Sequence, residues 1–275
     1  MKYLKLSKEL RLPALGLGTW GIGGGFESNR ATKMRDIKII KDALSLGYSH
    51  IDTAAMYGQG QTERVIGEAI GNVLREDIFL TTKVWKTNLH YESVLKSLDA
   101  SLKRLKTTYV DLFLVHWPNL EIPIKETMKA MEFLYRKGKV KAIGVSNFSV
   151  EGIREAQSAL EICPMVANQI EYNLIERKAE QEVIPFCRKN NVIVIAYRPL
   201  AKGLLSTKAN AILDELGGKY KKTPSQIALK WVISNEGIAA ISKAGSYQHL
   251  KENIGIFDWE LTKKDKEKLG LWYQR

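Results

Sequence analysis

Residues 15–24 read LGLGTWGIGG. Gly16, Gly18 and Gly21 stand at the spacing G-x-G-x-x-G directly after an apolar run, the bare pattern of a dinucleotide-binding turn between a strand and a helix. In that turn the helix opens inside the glycine pattern, its N-terminus facing a pyrophosphate, and an acidic residue closes the next strand. Neither condition is met. GIGGGFESNR intervenes, the first credible helix starts near Thr32, and the acid at the expected distance, Asp42, falls inside that helix. The stretch therefore reads as the first strand of a different α/β architecture, with its glycines in the loop that follows.

Working outward, similar apolar runs begin near residues 14, 50, 78, 110, 142, 166, 192 and 238: ALGLGTW, HIDTAA, IFLTTKV, VDLFLVHW, AIGVSNF, VANQIEY, VIVIAYRPL and IAAISKA. Helical patterns lie between them. Val94, Leu95, Leu98, Leu102 and Leu105 share one face, and TPSQ opens another helix with Thr223 as cap, Pro224 in the first turn and Gln226 completing a capping box. Continuous apolar strands alternating with amphipathic helices predict a parallel sheet covered by helices, and eight such units predict a (β/α)8 TIM barrel. The 46-residue interval before the last strand leaves room for an extra helix near 207–217. The tail after FDWELT has room for a second, near 262–270, with Thr262 and Asp265 as its start signal. The opening YLKLSKELRL reads as a β-hairpin closing the bottom of the barrel. With no linker or low-complexity segment, residues 1–275 read as one domain.

A chain of 275 residues can bury a core that needs neither disulfides nor a structural metal. Cys163 and Cys187 sit among apolar neighbours without metal-ligand spacing and read as buried thiols in a reducing compartment. The N-terminus alternates apolar and charged residues, and no apolar run approaches the roughly 18 residues of a membrane span. Together these predict a cytoplasmic protein with no membrane partner. The net charge of +12 is spread over almost every helix face with acids interleaved and no aromatic-flanked basic block, which argues against nucleic acid. A general attraction for anionic or phosphate-bearing ligands is compatible with it.

In a barrel of this kind the chemistry gathers at the carboxyl ends of the strands. Those ends supply Asp52 and Tyr57 after the second strand, Lys83 at the third and His116 at the fourth. Singly, each has an ordinary structural explanation. Together they suit proton transfer to a carbonyl oxygen: an ammonium beside a tyrosine favours the phenolate and lowers its pKa, a carboxylate compensates a buried lysine, and a histidine can orient the substrate. No nucleophile with a base and orienter stands out, nor a convincing metal site, so hydrolysis and Lewis-acid chemistry rank low.

The stretches GLGTW, GYSHIDTAAMYG, TTKVW, DLFLVHWP, GVSNF, NQIEYN, AYRPL and ENIGIFDWELT, in that order, resemble the aldo-keto reductase family over nearly the whole chain. Within it the compact microbial members, such as 2,5-diketo-D-gluconate reductases, are similar in their short loop after HWPNLEIP and in a chain that stops soon after its last helix at LWYQR. The resemblance implies a barrel that binds NAD(P)H in extended form and transfers a hydride from nicotinamide to an aldehyde or ketone. It implies Tyr57 as proton donor, Lys83 and Asp52 as tuners of its acidity, and His116 as the residue orienting the carbonyl. For the cofactor it implies Ser146, Asn147 and Gln169 at the nicotinamide carboxamide, with Tyr197 stacked on the ring. Gly18, Thr19, Trp20, Asp52, Arg198, Pro199 and Leu200 are implied along the rest of the groove. The segment ISKAGSYQHLKEN corresponds to the adenosine-phosphate site, through Ser242, Lys243, Ala244, Gly245, Ser246, His249, Glu252 and Asn253. There Lys243 matches the phosphate-binding lysine, and Glu252 and Asn253 match adenine contacts. Two positions depart from the family: Ala244 replaces a usual Ser or Thr, and His249 replaces an arginine that would stack on adenine and hold the 2′-phosphate. Imidazole lacks the guanidinium fork, which weakens the preference for NADPH, with NADH possible, while Lys243 and Ser246 keep NADPH ahead. Trp20, Trp85 and Trp117 would wall a substrate pocket around Tyr57 and His116, suited to an apolar or flat carbonyl compound.

Two other readings use the same residues. The family includes noncatalytic relatives serving as binding or structural subunits, against which the intact tetrad argues, and the same tetrad can run in the oxidising direction. The expected form is a monomer acting on a small carbonyl substrate.

Overall fold

The computed structural model describes residues 1–207 and 210–272. Strands β1 (Tyr3–Lys5) and β2 (Arg11–Pro13) form an antiparallel hairpin, and eight further strands close into a parallel barrel. These are β3 (Leu15–Gly18), β4 (His50–Asp52), β5 (Phe79–Val84), β6 (Val110–Val115), β7 (Val140–Ser146), β8 (Met165–Glu171), β9 (Ile193–Tyr197) and β10 (Ile238–Ser242). Each pairs with the next in chain order, and β10 returns to β3 to close the ring. The jacket consists of α1 (Lys33–Ser45), α2 (Gln61–Ala69), α3 (Tyr91–Leu105), α4 (Ile124–Arg136), α5 (Val150–Ser158), α6 (Val183–Lys189), α7 (Leu204–Thr207), α8 (Ala211–Tyr220), α9 (Pro224–Ile233), α10 (Tyr247–Ile254) and α11 (Lys263–Trp272). Among the described residues no helix is long and apolar enough to cross a membrane.

Alternation along each strand divides the core in two. Leu112 and Leu114 of β6, Phe79 of β5, Ile195 of β9 and Ala239 and Ile241 of β10 fill the barrel interior, where Leu6 and Leu12 of the hairpin join them. Their strand neighbours Leu80, Val84, Phe113, Val115, Val194 and Ala240 face outward and pack with the helices. Strand side chains repeat every two residues, so an inward residue at the carboxyl end is fixed by the parity of the strand below it. The parity that buries Leu112 and Leu114 therefore puts His116 at the barrel mouth.

The glycines of residues 15–24 find their explanation here. A Cβ at Gly16 would stand 2.4 Å from Nδ1 of His50, so the strand needs glycine to make room for an imidazole inside the barrel. Gly18 lies against the backbone of Ser242 and Lys243, and Gly21 (φ +87°) faces the Lys243 ammonium, 2.7 Å from where its Cβ would be. The helix that follows runs from Lys33 to Ser45, and Asp42 sits on it paired with Lys38. The predicted capping box at Thr223 and Gln226 is present at the start of α9.

The extra helices are offset from their expected places. The first is α8, running to Tyr220 rather than 217; residues 208 and 209 of its expected span lie outside the described residues. Gly217 and Gly218 look like a stop but lie within the helix, because Gly217 gives room to the carbonyl of Lys222, 2.8 Å from where a Cβ would stand, and Lys222 N–H closes onto the Gly217 carbonyl. The second, α11, begins as predicted with Thr262 accepting from the Asp265 N–H and extends two residues past 270, to Trp272; residues 273–275 of LWYQR lie outside the described residues.

Candidate active site

Asp52 ends β4, Lys83 lies near the end of the adjacent β5, and both are almost wholly excluded from water. Lys83 Nζ donates to Asp52 Oδ1 at 2.5 Å and to the Thr53 carbonyl at 2.8 Å. Gln169, inward on β8, donates from Nε2 to Asp52 Oδ2 at 2.7 Å, so both carboxylate oxygens are engaged. Tyr57 opens a short turn, Tyr57–Gly60, in which Gly58, Gln59 and Gly60 are left-handed. Its ring centroid is 5.3 Å from Lys83 Nζ and 5.6 Å from the His116 ring, which it meets edge to face. The four residues read from separate strand ends thus share one site.

Burial disfavours the Lys83 ammonium, but Asp52 and Tyr57 opposite it outweigh that and hold its pKa above the ordinary lysine value. The Asp52 carboxyl is pushed up by burial while Lys83 and Gln169 pull it down. Tyr57 corrects a sequence expectation. Lys83 does lower its pKa, but burial acts more strongly and the net shift is upward, so in the free protein the phenol keeps its proton. His116 is driven down to about 2 by burial and then by Lys83, which fixes it as neutral imidazole. Its Nδ1 is buried with no hydrogen-bond partner among the described residues.

A second set adjoins the first. Ser146 Oγ donates to the Gln169 carbonyl at 2.9 Å. Asn147, held at φ +64°, donates from Nδ2 to the His116 carbonyl and to Ser146 Oγ, and its Oδ1 accepts from the Tyr197 hydroxyl at 2.9 Å. Hydroxyl and amide groups from three strand ends are therefore wired into the tetrad, a donor and acceptor set that fits a carboxamide. Arg198, also left-handed, pairs with Glu171 beside Tyr197. Thr19 donates to the Asp52 carbonyl.

Around the mouth from this set, Lys243 reaches across from the end of β10 to Gly21, and Gly245 has open space where a Cβ would stand. Lys243 and His249 are exposed, while Ala244 is buried. An ammonium, glycine-lined backbone and the start of α10 together suit a phosphate-bearing ligand. Ser246 proves to be the N-cap of α10, accepting from the His249 N–H, so its hydroxyl oxygen is already committed to the helix. Asn253 is buried and donates to Ser242 Oγ, and the Glu252 carboxylate accepts from Thr223 Oγ1. Leu200 and Arg198 begin a turn in which Ala201 and Lys202 are again left-handed.

Trp20 and Trp85 join the tetrad through ring edges: Trp20 lies 5.0 Å from Tyr57 and Trp85 5.1 Å from His116. Trp117, 41% exposed, stands at the rim. Two supporting elements escaped the sequence reading. Glu63 of α2 is fully buried, accepting from Thr82 Oγ1 at 2.7 Å and Arg104 Nε at 2.6 Å, and so ties the strand of Lys83 to the helix behind the Tyr57 turn. Parity was the available signal, since Thr82 in FLTTKV must point outward when Thr81 and Lys83 point inward. His50, inward on β4 two residues before Asp52, carries the same signal; its Nε2 meets Thr81 Oγ1 at 3.0 Å, and burial and Lys83 lower its pKa to about 3.

Comparison with known proteins settles the lineage. The match to the aldo/keto reductase family runs over residues 14–270. The chain belongs to this family. Among family relatives, it is 34% identical to the methylglyoxal reductase YeaE of Escherichia coli, covering 99% of this chain and 95% of that one. It superposes on the thermostable aldo-keto reductase Tm1743, solved with the inhibitor epalrestat, with a TM-score of 0.94 and 42% identity over 98% and 99% of the two chains. An aldo-keto reductase of Klebsiella pneumoniae solved with NADPH gives a TM-score of 0.87 at 32% identity, over 97% and 93%.

Proposed function

We propose that this aldo-keto reductase is a cytoplasmic, monomeric enzyme that reduces small aldehydes and ketones to alcohols with NADPH, with Tyr57 as proton donor. The observation that carries this reading is the convergence of Tyr57, Lys83, Asp52 and neutral His116 at one barrel mouth, continuous with the Ser146, Asn147, Gln169 and Tyr197 set. The NADPH complex of the Klebsiella relative and the methylglyoxal activity in the name of the Escherichia coli one support cofactor and substrate class.

In this reading Ser146, Asn147 and Gln169 would hold the carboxamide and Tyr197 the ring, while Lys243 and the start of α10 would take the phosphate. A nicotinamide held there would supply a hydride for the carbonyl carbon. His116, neutral and with an N–H to give, orients the carbonyl oxygen. Tyr57 delivers its proton to that oxygen as negative charge builds there, and Lys83, kept charged by Asp52, stabilises the phenolate left behind. The raised pKa of Tyr57 keeps the proton in place until then.

The test is quenching of the protein's fluorescence by NADPH and NADH, followed by loss of nicotinamide absorbance with a panel of aldehydes, ketones and aldoses. Binding with consumption is the expected result. Binding with no consumption by any carbonyl overturns the reductase reading in favour of a noncatalytic cofactor-binding role.

A further inference from the structure

Phe26 is 70% exposed, an unusual position for a phenylalanine, yet it does not hang on a loose segment. The loop after β3 folds back on itself through bridges between Gly21 and Gly24 and between Gly24 and Ser28. Gly24 (φ +114°) brings the chain so close that a Cβ there would lie 1.9 Å from the Glu27 carbonyl. The Asn29 N–H donates to the Gly23 carbonyl and the Gly58 N–H to the Gly25 carbonyl, both at 2.7 Å, and Asp36 accepts from the Gly23 N–H at 2.9 Å. Backbone and glycines therefore set this loop's shape, and the bond to Gly58 fastens it to the turn that carries Tyr57. The Phe26 side chain is little needed for that closure, and at this exposure it contributes little burial energy.

The ring nonetheless has a definite place. Phe26 meets Trp20 at 5.0 Å and 77°, and Trp20 meets Tyr57 at 5.0 Å and 78°. Exposure falls in step along the row: 70% at Phe26, 39% at Trp20 and 9% at Tyr57. The three rings thus form an edge-to-face series leading from solvent to the proton donor, with Phe26 outermost. Resting on the reductase reading above, we propose that Phe26 is a specificity-determining residue, forming with Trp20 an outer subsite for the flat apolar group of an extended aryl aldehyde or ketone. Aromatic faces attract such groups through both area and ring geometry. A three-carbon carbonyl held at Tyr57 is too short to reach a ring two 5.0 Å steps away. The subsite therefore rewards extended substrates selectively.

The experiment compares kcat/KM for 4-phenylbenzaldehyde with that for methylglyoxal in the wild type, Phe26→Ala, Phe26→Leu and Phe26→Trp, with NADPH affinity measured alongside as a check of the fold. The expected result is a ratio about tenfold lower in Phe26→Ala, mainly through KM of the aryl substrate, and restored toward wild type in Phe26→Trp. A ratio within about twofold of wild type in both Phe26→Ala and Phe26→Leu overturns the proposal while the reductase reading stands. If Phe26→Ala does not fold, Phe26→Leu decides alone. Failure of the wild type to reduce 4-phenylbenzaldehyde while it reduces another carbonyl compound overturns the proposal alone, and failure with every carbonyl of the panel above removes both readings together.

Discussion

Asp52 and Lys83, buried on adjacent strands, are bonded to each other, and Asp52 also to Gln169, while Lys243 and His249, around the same mouth, are exposed on a loop and a helix end. The first region is fixed in position by strand parity and by buried polar groups that must find partners inside the protein. The second is set by an open loop and by α10, whose first turn is capped by Ser246. Substitution is expensive in one and cheap in the other. Of the two positions at which the family resemblance implies a different residue, His249 is exposed and Ala244 is buried. On the proposed function, proton transfer belongs to the constrained region and contact with a cofactor's phosphate to the exposed one.

The largest expected effect lies on the buried side. Tyr57→Phe removes the hydroxyl and keeps the ring against Trp20 and His116, so turnover should fall by roughly 10²–10⁴-fold with NADPH affinity retained. Steady-state kinetics and fluorescence titration measure the two separately, and undiminished turnover would remove Tyr57 from the chemistry.

A second effect tests how costly burial is. His50 and His116 stay neutral in the fold down to about pH 3 and about pH 2, whereas in the unfolded chain each takes up a proton below about pH 6.5. Between those limits the unfolded state binds more protons, so stability is lost as pH falls from about 6.5, by about 2 kcal/mol per histidine at pH 5. Urea unfolding at pH 7.5 and 5 should show a smaller loss in His50→Gln or His116→Gln than in the wild type. Equal losses in all three would mean that these imidazoles are solvated.

The smallest effect lies on the exposed side. His249→Arg restores a fork for a phosphate and should raise NADPH affinity over NADH by several-fold, up to about tenfold, with kcat nearly unchanged. Fluorescence titration with the two cofactors reads this directly. An equal change for both would place residue 249 away from the 2′-phosphate and blur the division between the two regions.

The eight strands and the capping box at Thr223 could be read from the chain, because period-two and helical patterns are local, and Asp52, Tyr57, Lys83 and His116 could be picked out because they stand near or just beyond the ends of those strands. The decoy at Gly16, Gly18 and Gly21 could also be rejected locally, since no helix opens within it, but the reason for the glycines could not. Gly16 makes room for His50 across 34 positions of sequence, and Gly21 for Lys243 across 222. Folding alone decided the net rise of the Tyr57 pKa, the neutrality of His116, the commitment of Ser246 to a helix cap and the row from Phe26 to Tyr57. These depend on solvent exclusion and on side chains distant in sequence, and such quantities exist only once the barrel has closed.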